Sequence, residues 1–133
     1  MSLSKKNVLR GLHLQTKKPQ GKLITVLRGE ILDVSLDCRI RSRTFGKYFS
    51  IKLSEKDNIS VYIPEGFAHG FVSLENNSVL HYKCTNYRDE KSENGILWND
   101  EDLKIKWPKK KLIISHKDQK NLTFAEFIKN KLR

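Results

Sequence analysis

An all-β fold, an antiparallel sandwich or barrel with one short C-terminal helix, is what this chain predicts, and three observations predict it. Apolar and polar residues alternate with a period of two through most of its length. Turn residues punctuate these runs at short intervals, as they do in sandwiches and barrels. Helical spacing with a start signal appears only near the end.

Taken in order, Asn7-Val8-Leu9-Arg10 opens a first strand, on which Gly11, His13 and Gln15 share one face. A Pro19-Gln20-Gly21 turn follows, then Lys22. From Ile31 to Ile40, the apolar Leu32, Val34, Leu36, Cys38 and Ile40 alternate with Asp33, Ser35, Asp37 and Arg39, which predicts one apolar face and one charged face. Phe49, Ile51 and Leu53 alternate with Ser50 and Lys52; Ile59, Val61 and Ile63 alternate with Ser60 and Tyr62. In Val79 to Cys84, His81 and Lys83 fall on one face, Leu80, Tyr82 and Cys84 on the other. Gly29-Glu30, Gly46, Asp57-Asn58, Pro64-Glu65-Gly66 and Asn76-Asn77 separate the runs. Glu90 to Asn94 is polar and reads as a loop. Thr123 with Glu126 three residues on reads as a capping box, ahead of Phe124, Phe127, Ile128 and Leu132 at helical spacing. No repeat, linker or low-complexity segment interrupts the chain, so residues 1–133 are expected to form a single domain.

Composition narrows the function. Twenty-six Lys and Arg against fifteen Asp and Glu give a net charge of +11, which favours phosphorylated or otherwise anionic partners. No apolar run approaches the ~18 residues of a membrane span. Met1 to Asn7 carries basic residues without the apolar region of a secretory signal, which points to the cytoplasm. Cys38 and Cys84 sit in strand-like runs without zinc spacing and read as buried, reduced thiols. Lys109-Lys110-Lys111 invites nucleic acid, but no helix-turn-helix, zinc finger or aromatic-studded RNA-binding strand accompanies it; it reads as a solvated run. Trp98 and Trp107 read as packing residues, His81 and His116 as surface ones.

Two segments carry chemistry: Arg10-Gly11-Leu12-His13-Leu14-Gln15 and Gly66-Phe67-Ala68-His69-Gly70-Phe71. A lone histidine in a β domain can simply pack. Arg10 and Lys22 near His13 gather cations around one imidazole, which packing does not need. Small barrels of the cupin type hold metals through three histidines and a glutamate, and His13 and His69 could be two of those. Gln15 is a poor ligand, however, and the Lys22 ammonium repels a divalent ion, so no metal is expected. The same set suits enolisation next to a ketone: a base near neutrality, a cation for the developing enolate, and an acid on the opposite face. Histidine, Lys22 and Tyr82 supply these. A carboxylate on the far ring nitrogen would fix the tautomer; Asp118 is a candidate that only the fold could bring there.

Val8 to Gln15, Gln20 to Ile24, Gly29 to Val34, Thr44-Phe45-Gly46, Tyr62 to Phe71, Tyr82 to Tyr87 and Gly95 to Asp100 together resemble the dTDP-4-dehydrorhamnose 3,5-epimerase family, collinearly from about Lys5 to about Asp118. The resemblance implies a cupin-like jelly roll. It implies a homodimer that acts without metal or organic cofactor on a dTDP-4-keto-6-deoxyhexose, within dTDP-rhamnose and cell-surface polysaccharide biosynthesis. It also implies roles: His13 the general base, Asp118 its carboxylate partner, Tyr82 the general acid, and Lys22 the cation at the ketone. Arg10, Gln15, His69 and Lys117 would bind substrate. Departures from the family pattern are Arg88 in place of a second tyrosine, Arg43 in place of a proline, and a start just before Arg10-Gly11-Leu12-His13. The family's extra N-terminal segment, with its Arg-Gly-Phe-Phe-like motif, is therefore expected to be missing, with weaker nucleotide binding and a smaller self-association contact as results. A single-site epimerase or ketoisomerase on another nucleotide sugar, and a non-catalytic sugar-nucleotide binding module, are the alternatives. The presence of His13, Lys22, Tyr82 and Asp118 speaks against the binding module, since binding alone does not need that set.

Overall fold

The computed structural model describes residues 1–132. Its strands are β1 (Ser2–Ser4), β2 (Val8–Gln15), β3 (Lys22–Arg28), β4 (Glu30–Asp37), β5 (Tyr48–Ser54), β6 (Ser60–Ile63), β7 (Phe67–Ser73), β8 (Ser78–Cys84), β9 (Glu93–Gly95) and β10 (Ile113–Ile114). Two helices close the chain, α1 (His116–Gln119) and α2 (Phe124–Lys131). The strands form two sheets, one in the order β1-β8-β3-β6, the other β10-β2-β7-β4-β5 with β9 also on β2. Pairing is antiparallel except between β10 and β2. This is the all-β arrangement with a short C-terminal helix that the alternation and the capping box predict, in the cupin-like form that the resemblance implies.

The larger sheet is covered on both faces, and this decides most of the packing. Toward the smaller sheet, Ile31, Leu53 and Phe71 meet Ile24, Val26, Ile63 and Leu80. On the opposite face, Leu12, Leu14, Val34 and Leu36 meet Ile96, Leu103 and Phe127 from the C-terminal third. The expected charged face of Ile31 to Ile40 is therefore not a solvent face: Asp33 is 2% and Asp37 0% exposed. Each carboxylate then needs partners. Asp37 has Arg39, Ser42 and Thr44, whose side chains all donate to it and fold the β4–β5 loop around it. Leu53 is buried, but Phe49 and Ile51 are exposed, because β5 is the outer strand of its sheet and they lie on its uncovered stretch.

Other expectations are corrected by pairing. Glu90 to Asn94 is not a loop throughout: a 3-10 turn over Glu90–Ser92 leads into β9, whose polar residues pair with His13, Leu14 and Gln15. Cys38 is buried and burial pushes its thiol up to about 12, whereas Cys84 is exposed, because β8 runs out into solvent at its end. The capping box of α2 forms as predicted, with Thr123 and Glu126 satisfying each other's backbone N–H groups. Phe127 is buried; Leu132 lies past the last turn and is exposed. Trp107 packs against the C-terminal core and its indole N–H donates to the carbonyl of Trp98. Gly29 and Gly66 adopt positive φ at the turns before β4 and β7, which explains glycine there. Among the described residues, no helix is long and apolar enough to cross a membrane.

Candidate active site

Strand β2 carries the first histidine because its outer edge is shared between two partners. β10 pairs with Val8 and Leu9, β9 pairs with His13 to Gln15, and Gly11 falls in the gap between them. Asp118 fills that gap. Its Oδ2 accepts the Gly11 backbone N–H at 3.1 Å, and its Oδ1 lies 2.6 Å from His13 Nε2. Ser115, the N-cap of α1, accepts the Asp118 backbone N–H, which orients this one-turn helix. Asn121 Nδ2 donates to Oδ1 at 3.3 Å. Burial of Asp118 works against ionisation, but the bonds from His13, Gly11 and Asn121 outweigh it and hold the carboxyl below the ordinary range. The group is thus an anion near neutrality and can only accept. His13 Nε2 must then carry the proton, which leaves Nδ1 with its lone pair.

The second histidine stands directly opposite the first, His13 and His69 being register partners between β2 and β7. His69 Nε2 lies 2.6 Å from Asp33 Oδ1, and both side chains are buried. Asp33 is a site residue that the sequence did not reveal. Its parity puts it on the charged face; only the β4–β7 pairing, with Ser35 opposite His69, sets it diagonally against the imidazole. The available signal was an aspartate flanked on both sides by apolar residues, Leu32 and Val34.

From the smaller sheet come Lys22 and Tyr82. Lys22 opens β3 in register with Cys84 of β8, and Tyr82 stands two residues earlier on β8, hence on the same face. Burial lowers the Lys22 ammonium below its ordinary range, while Cys84, Glu93 and Asp33 act to raise it. Arg10 is exposed, with its Nε donating to Ser4 Oγ at 3.2 Å. Gln15 is buried, and its amide is engaged with the backbone: Nε2 donates to the carbonyls of Lys18 and Tyr87, and Oε1 accepts the Asp89 N–H. Lys117 is exposed on α1 beside Asp118. His13, Asp118, Tyr82, Lys22, Arg10, Gln15, His69 and Lys117 all line one cleft of about 920 Å³ between the sheets. Clefts that take small molecules run to about 300–1,000 Å³.

A cupin-type metal does not fit these residues. The Gln15 amide is occupied by backbone, and Lys22 contributes an ammonium that repels a divalent ion. Among the described residues, no three His, Cys, Asp or Glu side chains stand together as a ligand set.

One wall of the cleft carries an imidazole paired with a carboxylate, the other a phenol and a half-buried ammonium. In comparison with known proteins, the family model described as dTDP-4-dehydrorhamnose 3,5-epimerase matches residues 1–126. The chain belongs to that family. A dTDP-4-dehydrorhamnose 3,5-epimerase of Methanothermobacter thermautotrophicus is 47% identical over 121 residues, covering 89% of this chain. The Legionella pneumophila epimerase solved with dTDP-4-keto-L-rhamnose superposes with a TM-score of 0.90 at 42% identity, over 93% of this chain and 66% of that one. The 3'-monoepimerase ChmJ of Streptomyces bikiniensis, solved with dTDP-quinovose, superposes with a TM-score of 0.92 at 31% identity, over 98% of this chain and 67% of that one. The chain spans between 40% and 65% of the length of the first three curated family members it matches.

Proposed function

We propose that this protein epimerises a dTDP-linked 4-keto-6-deoxyhexose by moving a proton at a carbon beside the ketone. The observation that carries the reading is the 2.6 Å His13–Asp118 pair, lining the same cleft as Tyr82 and Lys22 of the facing sheet. His13 Nδ1 takes the proton from the carbon next to C4, and the electron pair of that C–H bond moves into an enolate. Negative charge gathers on the ketone oxygen, where the Lys22 ammonium offsets it. The Tyr82 hydroxyl returns a proton to the opposite face of the same carbon and is itself reprotonated by solvent, while His13 releases its proton. Asp118 steadies the imidazolium in between. No step calls for a metal or an organic cofactor.

Arg10 and Lys117 supply positive charge at the cleft for the diphosphate. His69, held by Asp33, presents a fixed ring to the sugar, and Gln15 shapes the wall by tying down the loops around Tyr87. The ligands held by relatives, dTDP-4-keto-L-rhamnose and dTDP-quinovose, support a nucleotide-sugar substrate. The reading further takes the chain as one cupin-like domain, working in the cytoplasm as a homodimer, with neither nucleic acid nor membrane as partner. A second reading, inversion at a single carbon, draws on the similarity to a 3'-monoepimerase.

Incubation with dTDP-4-keto-6-deoxyglucose in deuterated water tests both. Deuterium at both carbons flanking the ketone is expected, deuterium at one supports the single-site reading, and none refutes epimerisation. His13→Ala is expected to slow incorporation on the order of 10²–10⁴-fold; exchange at the wild-type rate would remove His13 from the base role.

A further inference from the structure

We propose that Asn121 is a positioning residue for the His13–Asp118 pair, admitted to that place by the absent side chain of Gly95. Asn121 lies two residues beyond α1, and its Nδ2 donates to the same Asp118 oxygen that meets His13. Gly95 is the register partner of His13 on β9. A Cβ on Gly95 would stand 2.1 Å from the Asn121 Oδ1, 2.3 Å from its Cγ and 2.5 Å from its Nδ2. No real Cβ tolerates such contacts, so a side chain at 95 must expel the Asn121 amide from Asp118. Glycine is not required here by its backbone, since Gly95 lies outside the positive-φ region that four other glycines occupy. The space itself is what the position supplies.

Backbone bonds keep the two segments together. Leu122 forms a bridge with Ile96, its carbonyl accepts the Leu97 N–H at 2.8 Å, and the Asn121 N–H bonds the Asp118 carbonyl. Asn121 is therefore tied both to the strand beside His13 and to the turn that carries Asp118. With Gly11 N–H on Oδ2, Asn121 on Oδ1 gives each carboxylate oxygen its own donor besides the imidazole. Rotation of the carboxylate about its Cβ–Cγ bond would break both bonds, so its plane, and with it the His13 ring, is held in one orientation.

The inference rests on the epimerase reading, and the experiment separates the two. In the deuterium assay, Asn121→Ala and Asn121→Asp are expected to lower kcat by about tenfold or more while KM stays within about twofold, the signature of lost orientation. Gly95→Ala is expected to lower kcat by a similar factor. Combined with Asn121→Ala it is expected to add nothing, because the smaller residue makes room for the new methyl. The downfield proton resonance of the His13 Nε2–H is expected to move in each Asn121 variant, and it is read without substrate. Wild-type kcat with an unmoved resonance would overturn the proposal, and so would losses that multiply in the double variant. A wild-type protein that exchanges no deuterium would refute the epimerase reading instead, and the resonance alone would then decide the role of Asn121.

Discussion

At the scale of single residues, the site depends on which atom holds which proton. Asp118 is an anion because three donors surround it, and an anion dictates that His13 Nε2 is protonated and Nδ1 is not. Asp118→Asn keeps the size and can keep the Gly11 bond, but it turns an NH₂ toward His13. Nε2 must then accept, the ring proton moves to Nδ1, and the nitrogen proposed as the base is blocked. Turnover is expected to fall on the order of 10²–10⁴-fold with substrate affinity nearly unchanged. Steady-state kinetics checks this; a matching rise in KM with kcat retained would contradict it. Asp33 carries a related lesson. Its partner His69 is evident from the Gly66 to Phe71 motif, but the side on which Asp33 points depends on two other strands and on what covers them.

At the scale of elements, local signals were readable and pairing was not. The α2 start needs only Thr123 and Glu126, three residues apart, and its capping box forms as read. β9, two polar residues and a glycine, has no period of its own; it is a strand because β2 offers it an edge. The β4–β5 loop shows how much one buried group can organise. Burial alone would raise the Asp37 pKa, yet the Arg39, Ser42 and Thr44 side chains and the Arg39 N–H more than offset this and hold it well below the carboxylate range. A folded-state pKa below the unfolded one stabilises the protein above about pH 4 and loses that contribution as the pH falls further. Asp37→Ala is expected to cost about 1.5–3 kcal/mol at neutral pH, and the difference from wild type is expected to shrink under acid conditions. Urea unfolding across pH 3 to 7 measures it; a constant difference would show that the Asp37 charge contributes nothing.

At the scale of the whole molecule, alternation predicted the class of fold, but not that one sheet would be covered twice. That double cover buries both faces of β4 and sets Asp33 in the interior, where it meets His69 of the cleft. The candidate residues, by contrast, were legible from motifs, since six of the eight lie within segments that match the family. Charge acts at this scale too. A net +11, with Arg10, Lys22 and Lys117 at the cleft, attracts anions over a range that salt shortens to about 8 Å at physiological strength, which suits the proposed diphosphate. Thymidine diphosphate affinity is expected to weaken by about threefold or more between 0.05 and 0.5 M salt, as titration calorimetry would show. An affinity indifferent to salt would mean that the overall field is not used.

The gap at Gly11 has a further consequence. There a sheet edge lacks a strand partner, and the carboxylate proposed to serve the chemistry completes the hydrogen-bonding ladder in its place. Replacing it with an apolar residue would strand a buried N–H, at about 1–3 kcal/mol. Active sites commonly conflict with the scaffold that bears them, so that gains in durability erode turnover. At Asp118 the two interests coincide. Selection for a sturdier protein and selection for a faster one preserve the same atoms, and efforts to raise thermal resistance have no reason to disturb them.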